Sequence, residues 1–273
     1  MNARDQVLIT PGGLARLIES GEPLRILDVR WRLDAPDGRP AYLDGHLPGA
    51  VYVSLEDDLS DHTVAGRGRH PLPSGATLQN ALRRWGVRQD EPIVVYDDWN
   101  RVGSARAWWV LTAAGLGTVR ILDGGLAAWR SSGGELETGP VEPQPGNVTV
   151  AQQNLYAGAQ PTLTAEQTSD VALFDARAPE RYRGEIEPLD PVAGHIPGAE
   201  NLPFATLLAA DGTFVTDARL PPDGAIGTYC GSGVTATVVV AALAAAGRQV
   251  ALYPGSWSEW CSDPARPVAR GDD

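Results

Sequence analysis

Cysteine is scarce in this chain, basic residues are outnumbered and long apolar runs are missing; each shortage removes a class of function. Only Cys230 and Cys261 occur, outside any C-x-x-C pattern, which excludes a disulfide framework and a cysteine-based zinc site and leaves each as a thiol. Lys and Arg number 22 against 34 Asp and Glu, a formal charge of −12, and no block of consecutive basic residues interrupts that balance. Nucleic acid and an anionic membrane surface are thereby excluded as main partners, since both require a basic footprint. No stretch approaches the roughly 18 consecutive apolar residues of a membrane span. The opening MNARDQVLITPGG has no basic segment followed by an apolar core, so a cytoplasmic protein is expected.

What is present is ordinary globular composition, 43% apolar and 21% charged over 273 residues, long enough for one large domain or two small ones. Four landmarks recur in the same order and decide for two. Asp28-Val29-Arg30 returns as Asp175-Ala176-Arg177, and Gly45-His46-Leu47-Pro48-Gly49-Ala50 as Gly194-His195-Ile196-Pro197-Gly198-Ala199. The run Ile93–Tyr96 ending in Asp97 is answered by Ala225–Tyr229 ending in Cys230, and Asp123–Trp129 by Tyr253–Trp260. Gly133, Gly134, Gly139, Pro140, Pro143, Pro145 and Gly146 mark an extended connection between the copies. The expected division is a first domain over 1–135, a linker over 136–158 and a second domain over 159–273.

Within each copy, short continuous apolar runs such as Ile93–Tyr96 and Val119–Leu122 read as buried parallel strands. The alanine-rich stretch Val234–Ala246 reads as a helix separated from the strand before it by a tight turn. Strand, turn, helix, strand predicts an α/β fold in which each copy is a parallel sheet flanked by helices. Sites in such sheets lie beyond the carboxyl ends of strands, where Asp97 and Cys230 both fall.

The loop Cys230-Gly231-Ser232-Gly233-Val234-Thr235-Ala236 carries the chemistry. A lone cysteine suits a small buried hydrophobe, but the Gly-x-Gly context lets the backbone turn its N–H groups inward as an anion nest, with a helix start behind it. Positive potential of that kind favours the thiolate. A phosphatase loop would need an arginine six residues beyond the nucleophile, and that position is Ala236, so phosphoryl transfer is disfavoured. His46 and His195 sit in the repeated turns and are read as structural; the spacing of His62 and His70 matches no metal pattern, and Asp97-Asp98 lacks the further ligands of a metal site. No metal and no cofactor is expected.

Asp-x-Arg, Gly-His-x-Pro-Gly-Ala and a strand-end cysteine loop, repeated over nearly the whole chain, resemble the tandem rhodanese-like sulfurtransferases. Cys-Gly-Ser-Gly-Val-Thr-Ala is similar to the loop of the 3-mercaptopyruvate sulfurtransferase branch, whereas thiosulfate-preferring rhodaneses usually carry basic residues there. The resemblance implies two rhodanese-like domains, an inactive first one with Asp97 at the cysteine position and a catalytic second one. It implies that Cys230 takes a sulfane sulfur from 3-mercaptopyruvate, or alternatively thiosulfate, as a persulfide and passes it to cyanide or a thiol, such as a small thiol or a thioredoxin-like protein. Gly231, Gly233, Val234 and Thr235 would cradle the small anionic donor, and Arg181 would bind it. The same resemblance implies a relay of Ser232, His70 and Glu56, the last two from the first domain. Leu189 stands near where the branch often has a second substrate arginine, a departure that bears on the donor. A non-catalytic persulfide carrier or interaction module is the alternative from another class. Arg177 is read as structural because Arg30 repeats it, Trp257, Trp260, Trp108 and Trp109 as packing, and Cys261 as a structural or half-exposed thiol.

Overall fold

The computed structural model of the protein describes residues 2–216 and 224–272, so the outermost residues of the expected domains, 1 and 273, lie outside the described residues. Strands β1 (Leu8–Ile9), β2 (Arg25–Asp28), β3 (Val51–Tyr52), β4 (Ile93–Tyr96) and β5 (Val119–Leu122) form a parallel sheet in the order β1-β5-β4-β2-β3. Strands β6 (Ala172–Asp175), β7 (Glu200–Asn201), β8 (Ile226–Tyr229) and β9 (Ala251–Leu252) form a second parallel sheet in the order β7-β6-β8-β9. The four strands of the second sheet repeat β3-β2-β4-β5 of the first, and a parallel bridge from Thr162 to Leu252 takes the place of β1. β4 and β8 are central and buried along their whole length; β4 is accordingly an unbroken apolar run, and the one hydroxyl of β8 outside its tyrosine, on Thr228, is satisfied by the Phe174 carbonyl.

The helices are α1 (Ala3–Val7), α2 (Pro11–Ser20), α3 (Arg39–Asp44), α4 (Leu55–Asp58), α5 (Gly75–Arg84), α6 (Val102–Ala113), α7 (Gly125–Ser131), α8 (Pro179–Tyr182), α9 (Ala236–Ala245) and α10 (Ser256–Trp260). Local chemistry sets their ends: Thr10 caps α2 and Ser74 caps α5 through side-chain oxygens, and Gly21 closes α2 in the left-handed region at φ 68°. α6 and α9 are apolar around nearly their whole circumference because they pack against each other between the sheets. One continuous core therefore runs from Trp31, Trp108 and Trp109 to Val234, Val238 and Leu243. α9 begins at Ala236, two residues later than the alanine-rich pattern predicts, because residues 231–235 remain in the loop.

The repeated motifs fold identically. Arg30 grips both carboxylate oxygens of Asp28 and donates to the Gly45 carbonyl, and Arg177 does the same with Asp175 and Gly194. His46 and His195 are buried, stack on Tyr42 and Tyr182 at 4.0 and 3.8 Å, and donate from Nδ1 to the carbonyls of those tyrosines. Residues 139–154 form no helix or strand but hold fast to the first sheet's helices: Gly146 donates to Arg83, Asn147 to Val87, and Val148 and Val150 are buried. The connection is thus extended and anchored at once. Among the described residues no helix is long and apolar enough to cross a membrane.

Candidate active site

Cys230 leaves the end of β8 and is 1% exposed. Its own N–H donates to Ser256 Oγ (3.1 Å), and Ser256 donates in turn to the Tyr253 carbonyl. Ser256 holds the left-handed region at φ 54°, rare for a residue with a Cβ and characteristic of a place where surrounding structure dictates the backbone. The N–H groups of Trp257 and Ser258 then fasten α10 to the carbonyls of Cys230 and Gly231. Gly233 sits at φ 76°, and a Cβ there would overlap the Pro254 carbonyl, so only glycine lets the loop close this tightly.

Held in this way, the N–H groups of Gly231, Ser232, Gly233, Val234 and Thr235 donate to no other group among the described residues. They lie between Cys230 and the N-terminal end of α9, a run of backbone donors left available beside the cysteine. The first domain presents the opposite case. Asp97 at the end of β4 accepts from the N–H groups of Trp99 (3.0 Å), Arg101 (3.2 Å) and Ser104 (3.1 Å) and from Ser104 Oγ (2.6 Å), and forms an ion pair with Arg101 Nη2 at 2.8 Å. Its carboxylate occupies the loop that at Cys230 stays open.

His70 reaches this loop from the first domain, with Nδ1 2.8 Å from Ser232 Oγ and Nε2 3.2 Å from Glu56 Oε1. Glu56 is set by α4, whose N-cap Ser54 fixes the first turn, and it also accepts from Trp31 Nε1 (2.7 Å) and lies 3.0 Å from His62 Nε2. The hydrogen bond to His70 outweighs the cost of burial and holds the Glu56 carboxyl at about 2. Burial pushes His70 below its usual value, an effect that Glu56 opposes, so the imidazole is neutral at pH 7 and able to accept a proton.

Two cations that the sequence reading did not single out complete the site. Arg106 on α6 is fully buried and donates to the carbonyls of Gly233 (3.1 Å), Leu59 (3.0 Å) and His70 (3.1 Å), so one side chain clamps the cysteine loop to the segment carrying the histidine. Burial pulls its pKa down to about 10, and it stays charged beside Cys230. A lone arginine in Ala105-Arg106-Ala107-Trp108-Trp109 was its signal: a charge on a helix otherwise apolar all round. Arg69, next to His70, donates its backbone N–H to Ser258 Oγ and extends its guanidinium over the cysteine loop.

Arg181 on α8 is mostly buried and chelated by Glu187 at 2.6 and 2.9 Å. A Cβ on Gly231 would lie 3.0 Å from Arg69 Nη2 and 3.4 Å from Arg181 Nη1, so both guanidinium groups face the residue after Cys230. Val234 is buried under the loop and Thr235 is its last residue before α9. Leu189 is exposed. Trp257 and Trp260 are packed, their indole N–H groups satisfied by the Val192 and Pro267 carbonyls, and Cys261 is buried, its thiol pushed up by burial and then by Asp190 and Glu187.

The family model described as Rhodanese-like domain matches residues 10–132 and 161–263. A Mycobacterium tuberculosis protein named "Putative thiosulfate sulfurtransferase SseB" is 64% identical over 282 residues, covering 99% of each chain. A Pseudomonas aeruginosa protein named "Probable 3-mercaptopyruvate sulfurtransferase" is 44% identical over 283 residues, covering 98% of this chain and 99% of that one. The crystal structure of Escherichia coli SseA, a 3-mercaptopyruvate sulfurtransferase, superposes with a TM-score of 0.79 at 35% identity, covering 92% of this chain and 98% of the other.

Proposed function

Given that the chain belongs to the rhodanese-like sulfurtransferases, we propose that its donor is 3-mercaptopyruvate and that its single reacting thiol is Cys230. The observation that carries this reading is the contact between His70 Nδ1 and Ser232 Oγ beside the open cysteine loop. Transfer from mercaptopyruvate expels an enolate, a strongly basic leaving group that needs a proton, whereas sulfite leaves thiosulfate as a stable anion. A hydroxyl–imidazole pair next to the thiol is the equipment the first donor requires and the second does not.

The Cys230 thiolate attacks the sulfur of the donor. The new S–S bond forms as the C3–S bond breaks, the electron pair passes to C3 as the pyruvate enolate, and the Ser232–His70 pair relays the proton from the donor's own thiol to C3, leaving pyruvate and the Cys230 persulfide anion. Arg181, its Nε and Nη2 held by Glu187, presents Nη1 toward Gly231 for the donor carboxylate. The N–H groups of residues 231–235 hold the persulfide, whose outer sulfur is then attacked by an acceptor thiolate or cyanide, restoring the Cys230 thiolate. The acceptor is a small thiol or a thioredoxin-like protein, and the first domain, with Asp97 at the corresponding strand end, contributes Glu56 and His70 and no nucleophile.

Following thiocyanate release from cyanide with each donor tests this. Multiple turnovers with mercaptopyruvate at a kcat/KM above that for thiosulfate, lost in Cys230→Ser, are expected. A higher kcat/KM for thiosulfate overturns the donor, and full activity in Cys230→Ser overturns the mechanism.

A further inference from the structure

The donor pocket contains its own anions. Besides Arg181 and Arg69 it holds Glu187 and Asp190, both almost completely buried, on the segment that follows α8. Glu187 is fixed: it binds Arg181, lies 3.3 Å from Arg177 and accepts from the N–H groups of Leu189 and Asp190, so it serves as the anchor of that segment. Asp190 is held differently. One carboxylate oxygen takes the Arg69 guanidinium; the other, buried and without a hydrogen bond, points between the cations, 3.6 Å from Arg181 Nη2. The two arginines that face Gly231 are therefore balanced by two carboxylates, and the four charges sum to zero.

We propose that Asp190 is a specificity-determining residue that sets the charge of the donor this pocket accepts, favouring a monoanion over a dianion. The inference rests on the sulfurtransferase reading above and refines its donor class. A donor's charged group beside Gly231 must share Arg69 and Arg181 with Asp190. Each unit of negative charge already present repels a dianion such as thiosulfate twice as strongly as a monoanion such as mercaptopyruvate, and burial keeps solvent and salt from screening the difference. Two uncompensated arginines would reverse the preference; Glu187 compensates Arg181 and Asp190 compensates Arg69. Arg69 thereby supplies from the first domain a second cation in a pocket whose own segment carries Leu189.

The test separates anion selection from sulfur transfer by using anions that cannot react. Alkylation of Cys230 in the full-length protein by uncharged iodoacetamide is followed against increasing pyruvate, a monoanion, or sulfate, a dianion. In the wild type, pyruvate protects at lower concentration than sulfate. Asp190→Asn is expected to narrow that gap by about tenfold, sulfate gaining more than pyruvate, and Arg69→Gln to widen it. The kcat/KM ratio of thiosulfate to mercaptopyruvate should move in the same directions. Equal shifts for both anions in both variants overturn the proposal, even if activity is lost. Arg69 is partly exposed, so Arg69→Gln still gives the answer should Asp190→Asn fail to fold. Failure of the wild type to transfer sulfur, with anion protection intact, would overturn the sulfurtransferase mechanism and leave the charge selection standing.

Discussion

His70 Nδ1 meets Ser232 Oγ at 2.8 Å across 162 positions of sequence, with the histidine supplied by one sheet's loops and the serine by the other's. Only the mercaptopyruvate step has a leaving group that needs the proton this pair can deliver. Ser232→Ala is expected to lower kcat/KM for mercaptopyruvate about 100-fold, within the usual range for loss of a positioned proton carrier, and to change thiosulfate use by less than about threefold. Steady-state rates with both donors decide it, and equal losses would count against a proton-carrying role.

The acid limb of the mercaptopyruvate profile offers a second check. His70 is held below its usual pKa by burial while Glu56 pulls the other way. Glu56→Gln removes the upward pull, so His70 takes up its proton at still lower pH. The acid limb of kcat/KM should move to lower pH while the plateau falls, by about tenfold or more. A limb that stays in place or rises would show that another group titrates there.

Arg106→Met should destabilise the whole protein. The substitution removes a buried charge, which is favourable, but leaves the carbonyls of Gly233, Leu59 and His70 without donors in a dry interior. Hydrogen bonds from a charged donor are worth about 1.5–3 kcal/mol each, so the lost bonds win and a net loss of about 3 kcal/mol is expected. Urea unfolding measures it; an unchanged midpoint would mean that the three carbonyls find other donors.

Asp97→Ala should cost about 3–5 kcal/mol in the same assay, because the Arg101 guanidinium and three loop N–H groups lose one buried acceptor together. Asp97→Cys should not gain a second persulfide. Ala41 on α3 stands where Arg181 stands on α8, as the stacked pairs Tyr42–His46 and Tyr182–His195 show by aligning the two helices. Mass spectrometry after incubation with donor should find sulfur on Cys230 alone.

Much of this architecture was legible in the chain because it is local and repeated. Asp28-x-Arg30 and Asp175-x-Arg177 form their ion pairs within three residues, and the buried strand β4 advertises itself as an unbroken apolar run. The cysteine loop was legible for the same reason, each glycine lying within three positions of Cys230. Arg69, Arg106 and Asp190 were not, since what each touches lies 36 to 127 positions away for Arg106 and 121 for the other two. A surface arginine and one that braces two sheets look alike until α6 is seen to be buried on every side. The Gly and Pro content of residues 133–146 gave no sign that Val148 and Val150, just beyond them, would be buried.

The filled loop at Asp97 also bears on stoichiometry. A duplicated unit with two open strand ends would bind two equivalents of a small anion, one at each. Here one of the two carries its ligand as part of the polypeptide, never released and never in exchange with solvent. A calorimetric titration with pyruvate should accordingly saturate at one equivalent per chain, and a value of two would mean that the Asp97 carboxylate can be displaced.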